Sequence, residues 1–232
     1  MIKYPMKNNS DLKKINDFFN AEVHLGHKKN RVHPKAKKFI YKMENGVSII
    51  DLTITLDQIN KSKEFLKRSL KEGKSVLVIA TKKIASQIIT NFCKTNDISY
   101  ITSKWPPGLL TNFNTLIKNI EKLKKLKESK ESGEWEKIPK HERVFKNKSI
   151  NKLEKFYGGI TKIDKKPDIL IIFDTKKENN AVDEAKKMNV TVIAVIDTNC
   201  NPEEVNYPIV ANDDSPKAIE CIINELFSEI KK

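Results

Sequence analysis

Ser75-Val76-Leu77-Val78-Ile79-Ala80 and Asp168-Ile169-Leu170-Ile171-Ile172-Phe173-Asp174 are two runs whose interiors are uninterrupted apolar side chains, most of them β-branched. A strand with one wet face alternates apolar and polar residues; a run without alternation needs cover on both faces, the habit of parallel sheets packed between helices. After the first run, Ala85, Ile88, Ile89 and Phe92 recur at helical spacing, and after the second a helix is expected near Ala181 to Met188. Val190 to Asp197 repeats the pattern, Ile98 to Thr102 is a weaker strand, and a short strand is expected at Pro208 to Ala211. Strands alternating with helices in this way predict an α/β fold: an open parallel sheet with helices on both faces, Rossmann-like or flavodoxin-like.

Working outward, Ser10 is placed to cap an amphipathic helix carrying Leu12, Ile15, Phe18 and Phe19, and a loop from His24 to Pro34 follows. Val47 to Ile50 reads as a strand. From Thr53 or Thr55 a helix runs through Leu56, Ile59, Leu66 and Leu70 to a stop at Gly73. The last helix has Ser215 at its cap, Pro216 in its first turn, and Ile219, Ile222, Ile223, Leu226 and Ile230 on one face. One segment, 112–157, breaks the alternation. There Leu116, Ile120, Leu123 and Leu126 make a narrow seam amid Lys and Glu, and a second helical stretch after Pro139 ends at Gly158-Gly159. Two narrow seams joined near Gly133 predict an inserted antiparallel α-helical hairpin, a short coiled coil, with two ordinary crossover helices as the alternative. The expected regions are 1–45, an N-terminal helix and basic loop; 46–111 with 158–232, the sheet domain; and 112–157, the hairpin.

The 232 residues carry 44 Lys and Arg against 30 Asp and Glu, a net charge of +14 that suits a polyanion binder better than an enzyme of small metabolites. The excess is uneven: +7 over residues 1–50, +4 over 51–103, +9 over 104–166 and −6 over 167–232. The nucleic-acid face is therefore expected on the N-terminal segment and the middle. Only Arg31, Arg68 and Arg143 are arginines, and Asn and Ile are abundant, a bias that fits an AT-rich genome, whether organelle or low-GC bacterium. Cys93, Cys200 and Cys221 are widely spaced with no CxxC, which supports neither a zinc site nor a disulfide framework. No apolar run reaches membrane-span length, and the N-terminus has neither a secretory apolar core nor the look of a transit peptide.

The stretch Ala21 to Tyr41 gathers His24, His27 and His33 with Lys28, Lys29, Arg31, Lys35, Lys37 and Lys38 around Gly26. A zinc site would need a carboxylate or Cys at ligand spacing, and only Glu22 is near. A merely solvated basic loop is the plainer alternative. The preferred role is a phosphate clamp: lysines and Arg31 neutralise phosphates, imidazoles donate to phosphate oxygens or stack on bases, and Gly26 permits close backbone approach.

This stretch resembles the N-terminal signature of the bacterial-type small-subunit ribosomal protein two family, a G-x-H-x-G-H phrase followed by a basic loop. Here it reads Ala21-Glu-Val-His-Leu-Gly-His27, with Ala21 standing for the first glycine, and Pro34-Lys-Ala-Lys-Lys-Phe-Ile40 follows. Further matches are Ile79-Ala-Thr-Lys-Lys-Ile-Ala-Ser86, Lys104-Trp-Pro-Pro-Gly-Leu-Leu-Thr-Asn112, Leu153-Glu-Lys-Phe-Tyr-Gly-Gly-Ile160, and Ile193 to Pro202 with Ile209 to Ser215 beyond. Five phrases in order span about nine tenths of the chain. Departures are Pro106-Pro107 in place of a Leu-Gly pair, Lys104 in place of Arg, and a chain that stops at Lys232 without the long acidic tail of some members.

The resemblance implies a structural constituent of the small ribosomal subunit, not an enzyme. It implies binding to small-subunit rRNA at the junction of head and body, contacts with neighbouring small-subunit proteins, and a hairpin reaching between RNA helices. It calls for no cofactor, save magnesium shared with the RNA, no metal site, no membrane, no small-molecule substrate and no homo-oligomer. Lys82 and Lys83 at a helix start, and Lys104, Trp105, Thr111 and Asn112, join the basic loop as expected rRNA contacts, with Trp105 first a packing anchor. Asp174, Asp197, Asp213 and Asp214 follow strand ends, where doubly wound enzymes bind ligands, but are read as structural carboxylates. A nucleotide-dependent enzyme is the rival reading, and no GxGxxG or GxxxxGK[ST] phrase exists for it. A free regulatory RNA-binding protein is the other. The expected home is a ribosome in a plastid, with bacterial cytoplasm or mitochondrion as alternatives.

Overall fold

The computed structural model describes residues 9–229. Five parallel strands, β4 (Val76–Ile79), β5 (Ser99–Ile101), β6 (Ile169–Phe173), β7 (Thr191–Ile196) and β8 (Tyr207–Val210), form a sheet in the order β5-β4-β6-β7-β8. Register is continuous, with Val76 beside Ile169 and Ile79 beside Ile172. This is the flavodoxin-type order, with its reversal between β4 and β6. The unbroken apolar runs are explained by where alternate residues go. Leu77, Ile79, Leu170 and Ile172 lie in one buried cluster, and Val78, Ala80, Ile169, Ile171 and Phe173 in another on the opposite face.

Helices α2 (Leu52–Lys71), α3 (Lys83–Thr95) and α7 (Pro216–Phe227) bury apolar stripes in the second cluster. The α2 start lies one residue before Thr53 and three before Thr55 because Asp51 caps it, accepting the Thr53 N–H at 2.9 Å. Gly73, at φ +75°, ends it as expected. On the other face lie α6 (Asn179–Lys187) and the hairpin of α4 (Phe113–Glu131) and α5 (Lys140–Tyr157). Lys127 pairs with Glu154 and Asn119 reaches Tyr157, so the hairpin helices run antiparallel. Trp135, in the turn between them, is buried and donates its indole N–H to Ser129 Oγ at 3.0 Å. Gly159 follows α5 where a Cβ would lie 2.2 Å from the Tyr100 carbonyl oxygen, which makes it a packing glycine.

The front of the chain differs from expectation. Helix α1 (Asn9–Asn20) already contains Ser10, so that hydroxyl is no cap, and Ile230 of the expected last stripe lies outside the described residues. The expected loop from His24 is partly a strand. β1 (Leu25–Lys28), β2 (Ile40–Glu44) and β3 (Val47–Ile50) form a separate antiparallel sheet in the order β1-β3-β2. Asn45 and Gly46, both at positive φ, turn β2 into β3, the favoured two-residue hairpin turn. The boundary expected between residues 45 and 46 falls inside this turn.

Candidate nucleic-acid interface

The small sheet is bolted to the ends of β7 and β8. Gly26 on β1 has no room for a side chain, since a Cβ would lie 2.5 Å from Ser48 Oγ and 2.8 Å from Thr198. Its close approach is thus to the protein's own interior. That approach lets the His27 N–H donate to Thr198 Oγ1 at 2.9 Å and Ser48 Oγ donate to the His27 carbonyl at 2.8 Å. Farther along, the His33 N–H donates to the Thr198 carbonyl at 2.8 Å. On the β8 side, Asn212 donates from its backbone to Val23 and from its side chain to the Glu22 carbonyl.

Glu22 sits at φ +63°, a conformation that favours glycine. In a G-x-H-x-G-H phrase whose histidines are His24 and His27, the first glycine falls on Glu22 and not on Ala21, and this backbone angle is the physical reason for it. The Glu22 carboxylate accepts a hydrogen bond from Ser215 Oγ, so the Ser215 side chain makes no cap bond to α7.

Of the three histidines of the expected phosphate clamp, His27 and His24 are held against the protein. His27 Nδ1 lies 2.7 Å from Asp197 Oδ2, and Nε2 lies 3.1 Å from Asn199 Nδ2 and 3.9 Å from Asp214 Oδ2. The hydrogen bond to Asp197 raises the imidazole pKa against the opposing effect of burial, and the charges of Asp197, Asp214 and Asp213 add to the rise. His24 stacks on Phe19 with centroids 4.3 Å apart, and burial lowers its pKa. His33 accepts from the Lys35 N–H, capping a short 3₁₀ turn. Among the described residues, one of the three belongs to a group able to hold a metal ion: His27, Asp197 and Asp214 bring ligand atoms within 4.8 Å of one another.

Lys82 and Lys83, adjacent in sequence, part company. Lys83 is exposed. Lys82 turns inward to Asp174 (2.8 Å), Asp213 (2.7 Å) and Asp214 (2.9 Å). Burial lowers its pKa, but the charge of Asp213 and the hydrogen bonds that Lys82 donates to all three carboxylates outweigh that and raise it. Asp213 is itself pushed up to about 7, chiefly by burial. This cluster occupies the crevice where strand order reverses, and Glu178 beside it accepts from the Thr81 N–H and hydroxyl.

Trp105 is buried, its indole donating to Glu184 Oε1 at 2.9 Å. The same carboxylate accepts from the Gly108 N–H at 2.8 Å and the Leu110 N–H at 3.0 Å, with Thr111 at 3.4 Å. Burial raises the Glu184 pKa, and these bonds more than reverse it. Glu184 therefore fixes the Pro106-Pro107 loop. Nothing in the sequence marked it, because its partners lie more than seventy positions away. Lys104 and Asn112 beside this loop are exposed.

Lys28, Lys29, Arg31 and Lys37 are exposed and, among the described residues, stand in no ion pair. Lys35 and Lys38 share Glu203. A cavity of about 490 Å³ opens among Gly26, His27, Lys28, Arg31, Asp197 and Asp214. Part of the acidic C-terminal third thus serves as the seat of the basic loop, leaving a ridge of cations outward.

The geometry can be set beside known proteins. The chain is 40% identical to the small ribosomal subunit protein uS2 of Coprothermobacter proteolyticus, covering 93% of this chain and 81% of that one. It is 38% identical to the protein uS2c of Cyanidium caldarium, covering 94% and 90%, and 36% identical to uS2 of Karelsulcia muelleri, covering 93% and 97%. The family model described as ribosomal protein S2 matches residues 18–232, nearly the whole length over which the basic ridge, the sheet and the hairpin are built, and the chain belongs to that family.

Proposed function

We propose that this chain is a non-catalytic constituent of the small ribosomal subunit that binds small-subunit rRNA and neighbouring ribosomal proteins. The observation that carries the reading is the contrast between two places. In the crevice at the ends of β4 and β6, where doubly wound enzymes seat a phosphate, Asp174, Asp213 and Asp214 surround Lys82. Carboxylates there repel phosphate. On the small sheet and its flanking turns, Lys28, Lys29, Arg31 and Lys37 face outward from a scaffold pinned by half-buried hydrogen bonds. Cations fixed in place neutralise a polyanion and recognise its shape without turnover. The Lys, Asn and Ile bias together with the similarity to uS2c of Cyanidium caldarium supports residence in a plastid ribosome.

Sedimentation of a source-cell lysate through a high-magnesium gradient tests the reading. A subunit constituent travels with the small subunit. A free regulatory RNA-binding protein stays near the top, and that outcome would contradict the proposal.

A further inference from the structure

Phe145 has 71% of its surface open to solvent and Val144 beside it has 46%, although both lie on α5, where Ile150, Leu153, Phe156 and Tyr157 turn into the hairpin seam. Isolated apolar residues on a surface are ordinary, so exposure alone decides nothing; the surroundings do. Residues three and four apart on a helix are neighbours. His141 therefore stands one turn before both Val144 and Phe145, and Lys148 one turn after both. The Phe145 face continues to Lys152. From Lys140 to Tyr157 the helix carries six basic and two acidic residues, and one of those acids, Glu154, is paired with Lys127 at 2.6 Å. An apolar pocket of a protein partner would have to desolvate these cations. A nucleic acid takes both features at once, phosphates for the cations and the flat face of a base for the ring.

We propose that Phe145 stacks on an unpaired base of the RNA that the chain binds, with His141 and Lys148 at the adjoining phosphates. The inference rests on the RNA-binding reading above and deepens it. The basic loop contributes charge, whereas the hairpin contributes a base contact. The ligand is a nucleotide in a loop, bulge or end, because a base inside an A-form helix keeps its face covered.

The test uses the full chain and small-subunit rRNA transcribed in vitro from the source genome, with affinity measured across a salt series. Phe145→Ala should weaken binding about tenfold, within the range for one base-aromatic stack, and leave the salt slope unchanged because no charge is removed. Its urea midpoint should match the parent's, the side chain being exposed. Phe145→Trp should keep the affinity, with emission in excess of the parent's quenched on adding RNA. Phe145→Leu should lose as much as Ala. Parental affinity of the Ala variant overturns the proposal, as does a Leu variant that matches the parent, which would show that apolar bulk suffices without a ring face. Charge reversal of Lys28, Lys29 and Arg31 in the same assay separates the two levels. Loss there without loss at Phe145 sinks the stacking and leaves the RNA-binding reading standing. A parent chain that binds this rRNA no better than an unrelated RNA of equal length sinks both.

Discussion

His27 Nδ1 lies 2.7 Å from Asp197 Oδ2, and this contact joins a strand of the small antiparallel sheet to the end of the fourth strand of the parallel one. It is a hydrogen bond at any pH and an ion pair when the imidazole is protonated, so the seat of the basic loop depends on pH. The folded-state pKa is raised above the ordinary value of 6.5. The extra stability is therefore fully present below about pH 6.5 and is lost as pH rises through the folded pKa. His27→Gln should lower unfolding free energy by about 2 kcal/mol at pH 6, the scale of a hydrogen bond to a charged group. The gap between parent and variant should narrow toward pH 9, as urea denaturation at the two pH values will show.

Lys82 and Lys83 make a second comparison. Removing the partner of buried carboxylates leaves uncompensated charge, which costs about 3–5 kcal/mol. Lys82→Met should be destabilised on that scale, while Lys83→Met, which removes an exposed cation, should stay within about 0.5 kcal/mol of the parent. Equal unfolding midpoints for the two variants would contradict the inward placement of Lys82.

Glu184 gathers the N–H groups of Trp105, Gly108 and Leu110. Its folded pKa is lowered, so its contribution is present above the ordinary carboxylate pKa and is lost as pH falls through the folded value. Glu184→Ala should cost about 2 kcal/mol at neutral pH and speed hydrogen exchange at Gly108 and Leu110 more than at Leu77 in the central sheet.

Gly26→Ala places a methyl group against Ser48 and Thr198. Overpacking of this kind costs about 1–3 kcal/mol. It should also lift β1 away from Thr198, so the His27 amide should lose protection from exchange along with the drop in urea midpoint.

The parallel sheet was legible because its strands are buried on both faces, which writes an uninterrupted apolar run such as Ile169 to Phe173 into the chain. The hairpin was legible because Leu116, Ile120, Leu123 and Leu126 make a narrow seam amid Lys and Glu, the mark of a helix paired along one line with another. The antiparallel sheet was missed although Asn45-Gly46 announced a hairpin turn, because β1 and β2 are short and mostly exposed and show no clean alternation. Which basic residues face outward was legible only in part. Lys28, Lys29 and Arg31 are exposed, as phosphate contacts must be, but the partners that draw His27 and Lys82 inward lie 92 or more positions away. No local pattern encodes such partners.

The central claim is that cations at the front of the chain, fixed by the small sheet, grip a folded RNA. Its most direct test is the salt dependence of binding to small-subunit rRNA by two charge-reversed chains, one carrying Lys28→Glu, Lys29→Glu and Arg31→Glu, the other Lys186→Glu and Lys187→Glu. If each basic-loop residue meets one phosphate, the slope of log K against log salt should fall by about 2–3 in the first and stay at the parental value in the second. Equal slopes in the two variants would contradict the claim.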